Sequence, residues 1–258
     1  MVLGIDSHYD SFTRGGWSYR ERHVYPYLMA RGFRVALLTG ECARPEKLWP
    51  EIASAGVRYL TGVGHGLFDR YKGHDGQNLF RVGEYAEHEP RGKIVHFASC
   101  ETAACLGPDF VHKGCRAFFG YDGSFYYPSG DESQEVLDRF FACDSEIDLA
   151  LADGLTAAEV YARVHEKYTQ EIERLFQAGH PRAGLLLRDN RDRLRAPSTG
   201  KRWGDPQARL ELAGCASGGQ ARADAPGHAD LRAAGEPLLV REAPADEDRY
   251  AHAGREQP

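Results

Sequence analysis

The segment Lys93-Ile94-Val95-His96-Phe97-Ala98-Ser99, followed at once by Cys100-Glu101-Thr102, decides how the chain is read. A short apolar run closed by small and polar residues predicts a β-strand. Similar runs occupy residues 57–63, 33–38 and 2–5 on its amino-terminal side, and one more follows at 116–120. Helix-like segments alternate with these runs, so an α/β domain is expected, with a mostly parallel central sheet joined by crossover helices.

Between the first two runs, residues 18–31 are expected to be helical. Ser18 and Glu21 have capping-box spacing, Gly32 stands where a glycine cap closes a helix, and Pro26 kinks the segment or delays its start. Residues 45–55 read as a second helix with Pro45 in its first turn. The polar stretch 64–92 is too long for a tight connection, and long loops are often functional. After the fifth run, residues 132–142 and 157–176 read as helices. Thr156 and Glu159 form a capping box for the later one, with Val160, Val164, Tyr168, Ile172 and Leu175 along a core-packing face. A final apolar run at 183–187 leads to Arg202-Trp203-Gly204-Asp205-Pro206. One domain is expected over residues 1–212. Residues 213–258, rich in Ala, Gly, Pro, Asp, Glu and Arg, are expected to be a disordered tail.

Composition narrows the function classes. A chain of 258 residues holds one substantial core. Its formal net charge of -6 offers nucleic acid or an anionic membrane no general attraction. The start Met1-Val2-Leu3-Gly4-Ile5-Asp6 has no basic segment ahead of a long apolar run, and no stretch is long and apolar enough to span a membrane, so a cytoplasmic protein is expected. The six cysteines, Cys42, Cys100, Cys105, Cys115, Cys143 and Cys215, lack the paired spacing of a zinc ribbon or a disulfide framework.

Two reactive side chains fall at the carboxyl ends of successive predicted strands, where ligands gather in open α/β sheets. His65 follows the third strand in Thr61-Gly62-Val63-Gly64-His65-Gly66, and Cys100 follows the fourth. A cysteine there is expected to begin the next helix, whose positive end favours thiolate, while a nearby imidazole moves the proton. The amides of Gly66 and Cys100 are expected to form an oxyanion hole, worth roughly 3 kcal/mol per donor in acyl transfer. Taken alone, a cysteine after a strand is more often a small buried hydrophobe, and a histidine between glycines more often a loop residue. The joint placement is what points to catalysis.

These blocks resemble a known family. Gly64-His65-Gly66 and Ala98-Ser99-Cys100-Glu101-Thr102 are similar to the histidine and cysteine blocks of caspase-like cysteine peptidases (clan CD), nearest to the bacterial CHAT and gingipain-like branches. Gly73 and Gly76 before Leu79-Phe80 resemble that family's loop after the histidine, residues 114–121 its next strand, and Trp203-Gly204-Asp205-Pro206 its closing Gly-Asp-Pro block. The chain departs from the pattern at Ala98-Ser99, where the family has Ser-Ala, and at Ala103, where it has Gly.

The resemblance covers residues 2 to 212 and implies a caspase-like three-layer α/β/α fold and a cysteine endopeptidase. In such an enzyme Cys100 attacks a peptide carbonyl, His65 protonates the departing amine, and Gly66 with Cys100 stabilises the oxyanion. It implies a protein or peptide substrate and no cofactor; control by a regulatory protein partner is a separate expectation, from the absence of a recognisable pro-segment or repeat module in the sequence. Some relatives require calcium or proteolytic activation. Two other expectations stand beside it. The fold is kept as an inactive interaction module, which the change at Ala103 and the tail favour; or the same dyad serves as a thiol acyltransferase or deamidase.

In this family a charged pocket reads the residue before the scissile bond. Asp6 after the first strand and Asp122 after the fifth are the candidates for receiving a basic side chain, against a plain reading as cap and turn residues. His8, His74 and Asp75 match no compact metal motif, so no metal is expected. His96, inside a strand, reads as a satisfied core or interface histidine. Cys105 lies off the helical face of Cys100 and makes a poor resolving thiol. The run Arg188, Asp189, Arg191, Asp192, Arg193, Arg195 reads as solvated surface.

Overall fold

The computed structural model describes residues 1–53, 56–128 and 132–212; the expected tail, with Cys215, lies outside them. In chain order the elements are β1 (Val2–Asp6), α1 (Ser11–Ala30), β2 (Val35–Thr39), α2 (Pro45–Ala53) and β3 (Tyr59–Val63). A small antiparallel sheet follows, of β4 (Gly66–Leu67), β5 (Arg70–Lys72) and β6 (Asn78–Arg81). Then come β7 (Ile94–Ala98), α3 (Leu106–His112), β8 (Ala117–Tyr121), α4 (Gln134–Ala152), α5 (Ala157–Gln177), α6 (Pro181–Arg193) and the short β9 (Leu194–Arg195). Among the described residues no helix is long and apolar enough to cross a membrane.

The central sheet runs β2-β1-β3-β7-β8-β9, parallel throughout except for β9, which pairs antiparallel with β8. All five predicted strands are present. β1, β3, β7 and β8 are buried along their whole length, because alternate residues feed two separate cores. Val2, Tyr59, Ile94, Ala117 and Phe119 pack against α1, α4, α5 and α6. Leu3, Leu60, Val95, Phe97 and Phe118 pack against α2, α3, the small sheet and Trp203. Helices thus cover both faces, an arrangement compatible with three α/β/α layers.

Three expectations are corrected. First, α1 starts at Ser11, not Ser18. Asp10 accepts the Thr13 N–H (2.9 Å) and Thr13 caps back, so the helix is nucleated there and Pro26 lies inside it. Second, α4 runs on to Ala152 rather than stopping at 142: Asp144, Ser145 and Asp148, which look like a polar break, are buried, and both aspartates are paired. Third, the stretch 64–92 holds the β4-β5-β6 sheet rather than irregular loop. The capping box and apolar face of α5 are found as expected.

The Trp203-Gly204-Asp205-Pro206 block closes the domain against the cysteine segment. Trp203 is buried and its Nε1–H donates to the Ala103 carbonyl (2.8 Å), while the Asp205 N–H donates to the Arg116 carbonyl (2.8 Å). Gly204, at φ 115°, lies against the Arg116 carbonyl, where any side chain would collide.

Candidate active site

The register between β3 and β7 sets the site. Val63 pairs with Ala98 in parallel, and the Gly64 N–H donates to the Ala98 carbonyl (3.3 Å). His65 and Cys100 each follow these register partners by two residues, so the strands deliver them side by side to one rim. The strand order reverses between β1 and β3, the position where open α/β sheets form a crevice. His65 belongs to the loop after β3, and the loop after β1 delivers the residue that holds it.

That residue, Asp10, is not among the candidates that the sequence singles out. Its Oδ2 lies 2.5 Å from His65 Nε2, and the His65 side chain is 40% exposed, so the ring is oriented by a carboxylate yet open to solvent. Burial works against ionisation of Asp10, but the Thr13 N–H and then His65 overcome it and hold the carboxyl below its ordinary range. Asp10 therefore serves as helix cap and histidine partner together. The Asp10-Ser11-Phe12-Thr13 spacing is the signal that could have found it. Tyr9 and Phe12 flank the imidazole, with ring centroids 5.8 and 5.9 Å away.

Gly66 lies directly on the cysteine segment, since a Cβ there would collide with the Cys100 carbonyl oxygen and crowd Thr102 Cγ2 at 2.8 Å. The Lys72 N–H donates to the His65 carbonyl (2.9 Å), which puts Gly66 and Tyr71 in a non-hydrogen-bonded pair and turns the Gly66 N–H away from β5. That amide is thus available to an outside acceptor.

The expectation that Cys100 begins a helix is corrected. Residues 99–105 form bends and turns, and α3 starts only at Leu106. The Glu101 N–H donates to the Gly123 carbonyl and the Ala103 N–H to the Tyr121 carbonyl, both at 2.9 Å, which ties this segment across the end of β8. Glu101 takes the left-handed conformation (φ 61°) that the crossing demands, whereas Ala103 does not, so a Cβ at 103 is accommodated. The start of α3 is already engaged elsewhere: the Phe68 carbonyl accepts from Cys105 (3.0 Å) and Leu106 (2.9 Å).

The Cys100 sulfur instead accepts the Phe125 N–H (3.3 Å). Burial pushes the thiol up from its ordinary value, outweighing that amide, and the Glu101 carboxylate adds to the rise. The sulfur therefore rests as a thiol at neutral pH. Among the described residues no hydrogen bond joins it to His65. The Phe125 segment is itself clamped by buried Asn190 of α6, which accepts from the Tyr126 N–H (2.6 Å) and donates to its carbonyl (2.7 Å). Asn190 sits within the run read as solvated surface, and its polarity hides this role.

Neither acidic candidate is open to a substrate in this conformation. Asp6 is fully buried, accepting from the Val63 N–H (2.9 Å), from the Tyr25 hydroxyl at very short range and facing Arg20 Nε (3.2 Å); burial raises its carboxyl despite Arg20. Asp122 accepts from Arg195 Nε at 2.6 Å, so the chain's own arginine occupies it. His8 packs against Trp17 with the rings tilted (centroids 4.7 Å apart), and His74 Nε2 lies 3.4 Å from Asp75. Among the described residues no group of His, Cys, Asp and Glu is arranged to hold a metal ion.

Beneath the rim, on the sheet face covered by α1 and α4, lies a buried polar network. Asp148 bridges Arg20 (2.9 Å), His96 Nδ1 (3.2 Å), the Tyr59 hydroxyl (2.7 Å) and Thr61 (2.6 Å), while Asp144 faces His96 Nε2 (3.2 Å) and accepts from Tyr121 (2.8 Å). Burial opposes protonation of His96, yet Asp144 and Asp148 raise its pKa to about 9, so it is a cation between two carboxylates. The reading of His96 as a satisfied core residue agrees with this placement.

No family model, curated protein or solved structure matches this chain.

Proposed function

We propose that the chain is a caspase-like cysteine endopeptidase, acting in the cytoplasm on a protein or peptide substrate, with Cys100 as nucleophile and His65 as its proton acceptor and donor. The supporting observation is the register pairing of Val63 with Ala98, which brings the two residues to one rim side by side. The pairing of Asp10 with His65 adds a third member that fixes the imidazole. In the reaction the Cys100 thiol passes its proton to His65 as sulfur bonds to the peptide carbonyl carbon. The Gly66 and Cys100 amides meet the oxyanion. Collapse breaks the C–N bond, the amine leaves with the proton from His65, and water then hydrolyses the thioester.

One observation favours a second reading, an interaction module without turnover: burial raises the Cys100 thiol despite the Phe125 N–H that it accepts. The two separate in a digest of a denatured protein mixture, with products read by mass spectrometry. The peptidase reading expects new chain termini with wild type and none with Cys100→Ala or His65→Ala. Intact substrates would leave the module reading standing, and deamidated products of unchanged length would identify an amidase.

A further inference from the structure

The central sheet ends on β2, and the outer side of that strand is open. The Val2 N–H donates to the Arg34 carbonyl (2.8 Å), so in the parallel ladder with β1 residues 34, 36 and 38 turn their backbone groups inward. Val35, Leu37 and Thr39 turn theirs outward, and among the described residues nothing pairs with them. Sheets commonly blunt such an edge with lysine, proline or a bulge. The stretch Phe33-Arg34-Val35-Ala36-Leu37-Leu38-Thr39-Gly40 has Arg34 as its only charge, no proline and no break in its register with β1. Leu37 is 44% exposed and Met29 55%. Leu37 lies over Gly4 beside Tyr25 of α1, and Met29 is one turn further along that helix, so both exposed side chains stand on the α1 side of the edge.

The two ends of β2 carry opposite charges. Arg34 precedes the strand and Glu41 follows it; both are exposed, and among the described residues neither side chain has a hydrogen bond or an ion pair. An antiparallel copy of the same strand, centred on Leu37, sets Leu37 against Leu37 and Val35 against Thr39. These are the outward-facing residues, so every opposed pair exchanges both of its backbone hydrogen bonds. The same pairing sets Arg34 of one copy opposite Gly40 of the other, beside Glu41, and does so at both ends of the seam. The strand is thus complementary to itself in backbone, apolar surface and charge.

We infer that β2 is a self-association edge, where a second copy of this chain adds its own β2 antiparallel across a two-fold axis at Leu37. The contact is isologous, so it closes on a dimer and leaves no β2 edge open for further growth. The strands run in opposite senses in the two copies. The rims that carry His65 and Cys100 therefore face opposite ways, and neither copy covers the other's site. The inference stands apart from the peptidase reading, since it uses no residue of the rim.

The test is sedimentation equilibrium on the full chain, with amide hydrogen exchange read by NMR at low and high concentration. A seam of 5 residues from each copy is small for a protein interface, so a dimer that dissociates on the order of 10 µM is expected. On association the amides of Val35, Leu37 and Thr39 should gain protection, while those of Ala36 and Leu38, already in the ladder with β1, should not change. Leu37→Lys keeps an aliphatic stem over Gly4 but sets two ammonium groups against each other at the axis, and should weaken association by about ten-fold or more. Arg34→Glu and Glu41→Arg should each weaken it several-fold, and the two together should restore it, because every contact across the seam is again between opposite charges. A monomer at all concentrations up to about 200 µM, a dimer indifferent to Leu37→Lys, or a double charge variant no better than the single ones would each overturn the assignment.

Discussion

Gly66 lies so close to the carbonyl oxygen of Cys100 that no side chain fits between them. The histidine-bearing loop and the cysteine-bearing turn are therefore packed backbone to backbone. The glycine whose amide turns away from β5 is also the glycine that lets the histidine-bearing loop and the cysteine-bearing turn meet. Gly66→Ala is expected to cost about 1–3 kcal/mol of stability through overpacking and to abolish peptide cleavage. Urea melts and cleavage assays on the same preparation check both.

Asp10 does two jobs that substitution can separate. Asn is nearly as good a helix cap as Asp, so Asp10→Asn is expected to cost no more than about 0.5 kcal/mol while removing the charge that orients His65. Turnover should fall steeply with the fold intact. Asp10→Ala should lose turnover and a further ~1 kcal/mol of stability. Unchanged turnover in Asp10→Asn would remove Asp10 from the catalytic account.

The buried network makes stability depend on pH in a predictable direction. His96, at about 9 in the fold against 6.5 ordinarily, contributes stability that is complete below the ordinary value and lost as pH rises through the folded one. Asp148, held well below its ordinary 3.8 as Arg20 and His96 outweigh its burial, contributes above that value and is lost as pH falls further. The chain should be most stable in mildly acid solution and weaken steadily toward pH 9. His96→Gln should flatten that alkaline decline, and removing one charge, as in Asp148→Ala, should cost about 3–5 kcal/mol. Denaturant titrations across pH measure both.

Trp203 reaches over the cysteine segment to the Ala103 carbonyl. Trp203→Phe keeps most of the packing but leaves a buried carbonyl unpaired, so it should cost about 1–3 kcal/mol and speed alkylation of Cys100 by loosening its turn. Stability and labelling rate should move together.

What the sequence revealed follows from how each residue is used. The parallel strands were legible because both their faces are apolar, whereas a shared rim for His65 and Cys100 required their strands to be neighbours, which the pairing of β3 with β7 supplies. Asp144, Asp148 and Asn190 misled because polar residues in an interior look like a break or a surface until their partners are known. Those partners, Arg20, His96 and Tyr126, are distant in the chain. Asp10 was missed because Ser18 and Glu21 imitate a helix start inside a helix. The helix expected under Cys100 was an extrapolation from the strand end, and the tied turn at Glu101 and Ala103 defeated it.

The most direct measurement is covalent labelling of Cys100 read by peptide mass spectrometry, with a small alkylating probe across pH beside a peptidyl electrophile at neutral pH. The account predicts slow small-probe labelling at neutral pH that rises only above the ordinary thiol range, as burial requires. It also predicts rapid labelling by the peptidyl probe that is lost in His65→Ala. Cys100 refusing the peptidyl probe, or taking it equally well without His65, would contradict the dyad.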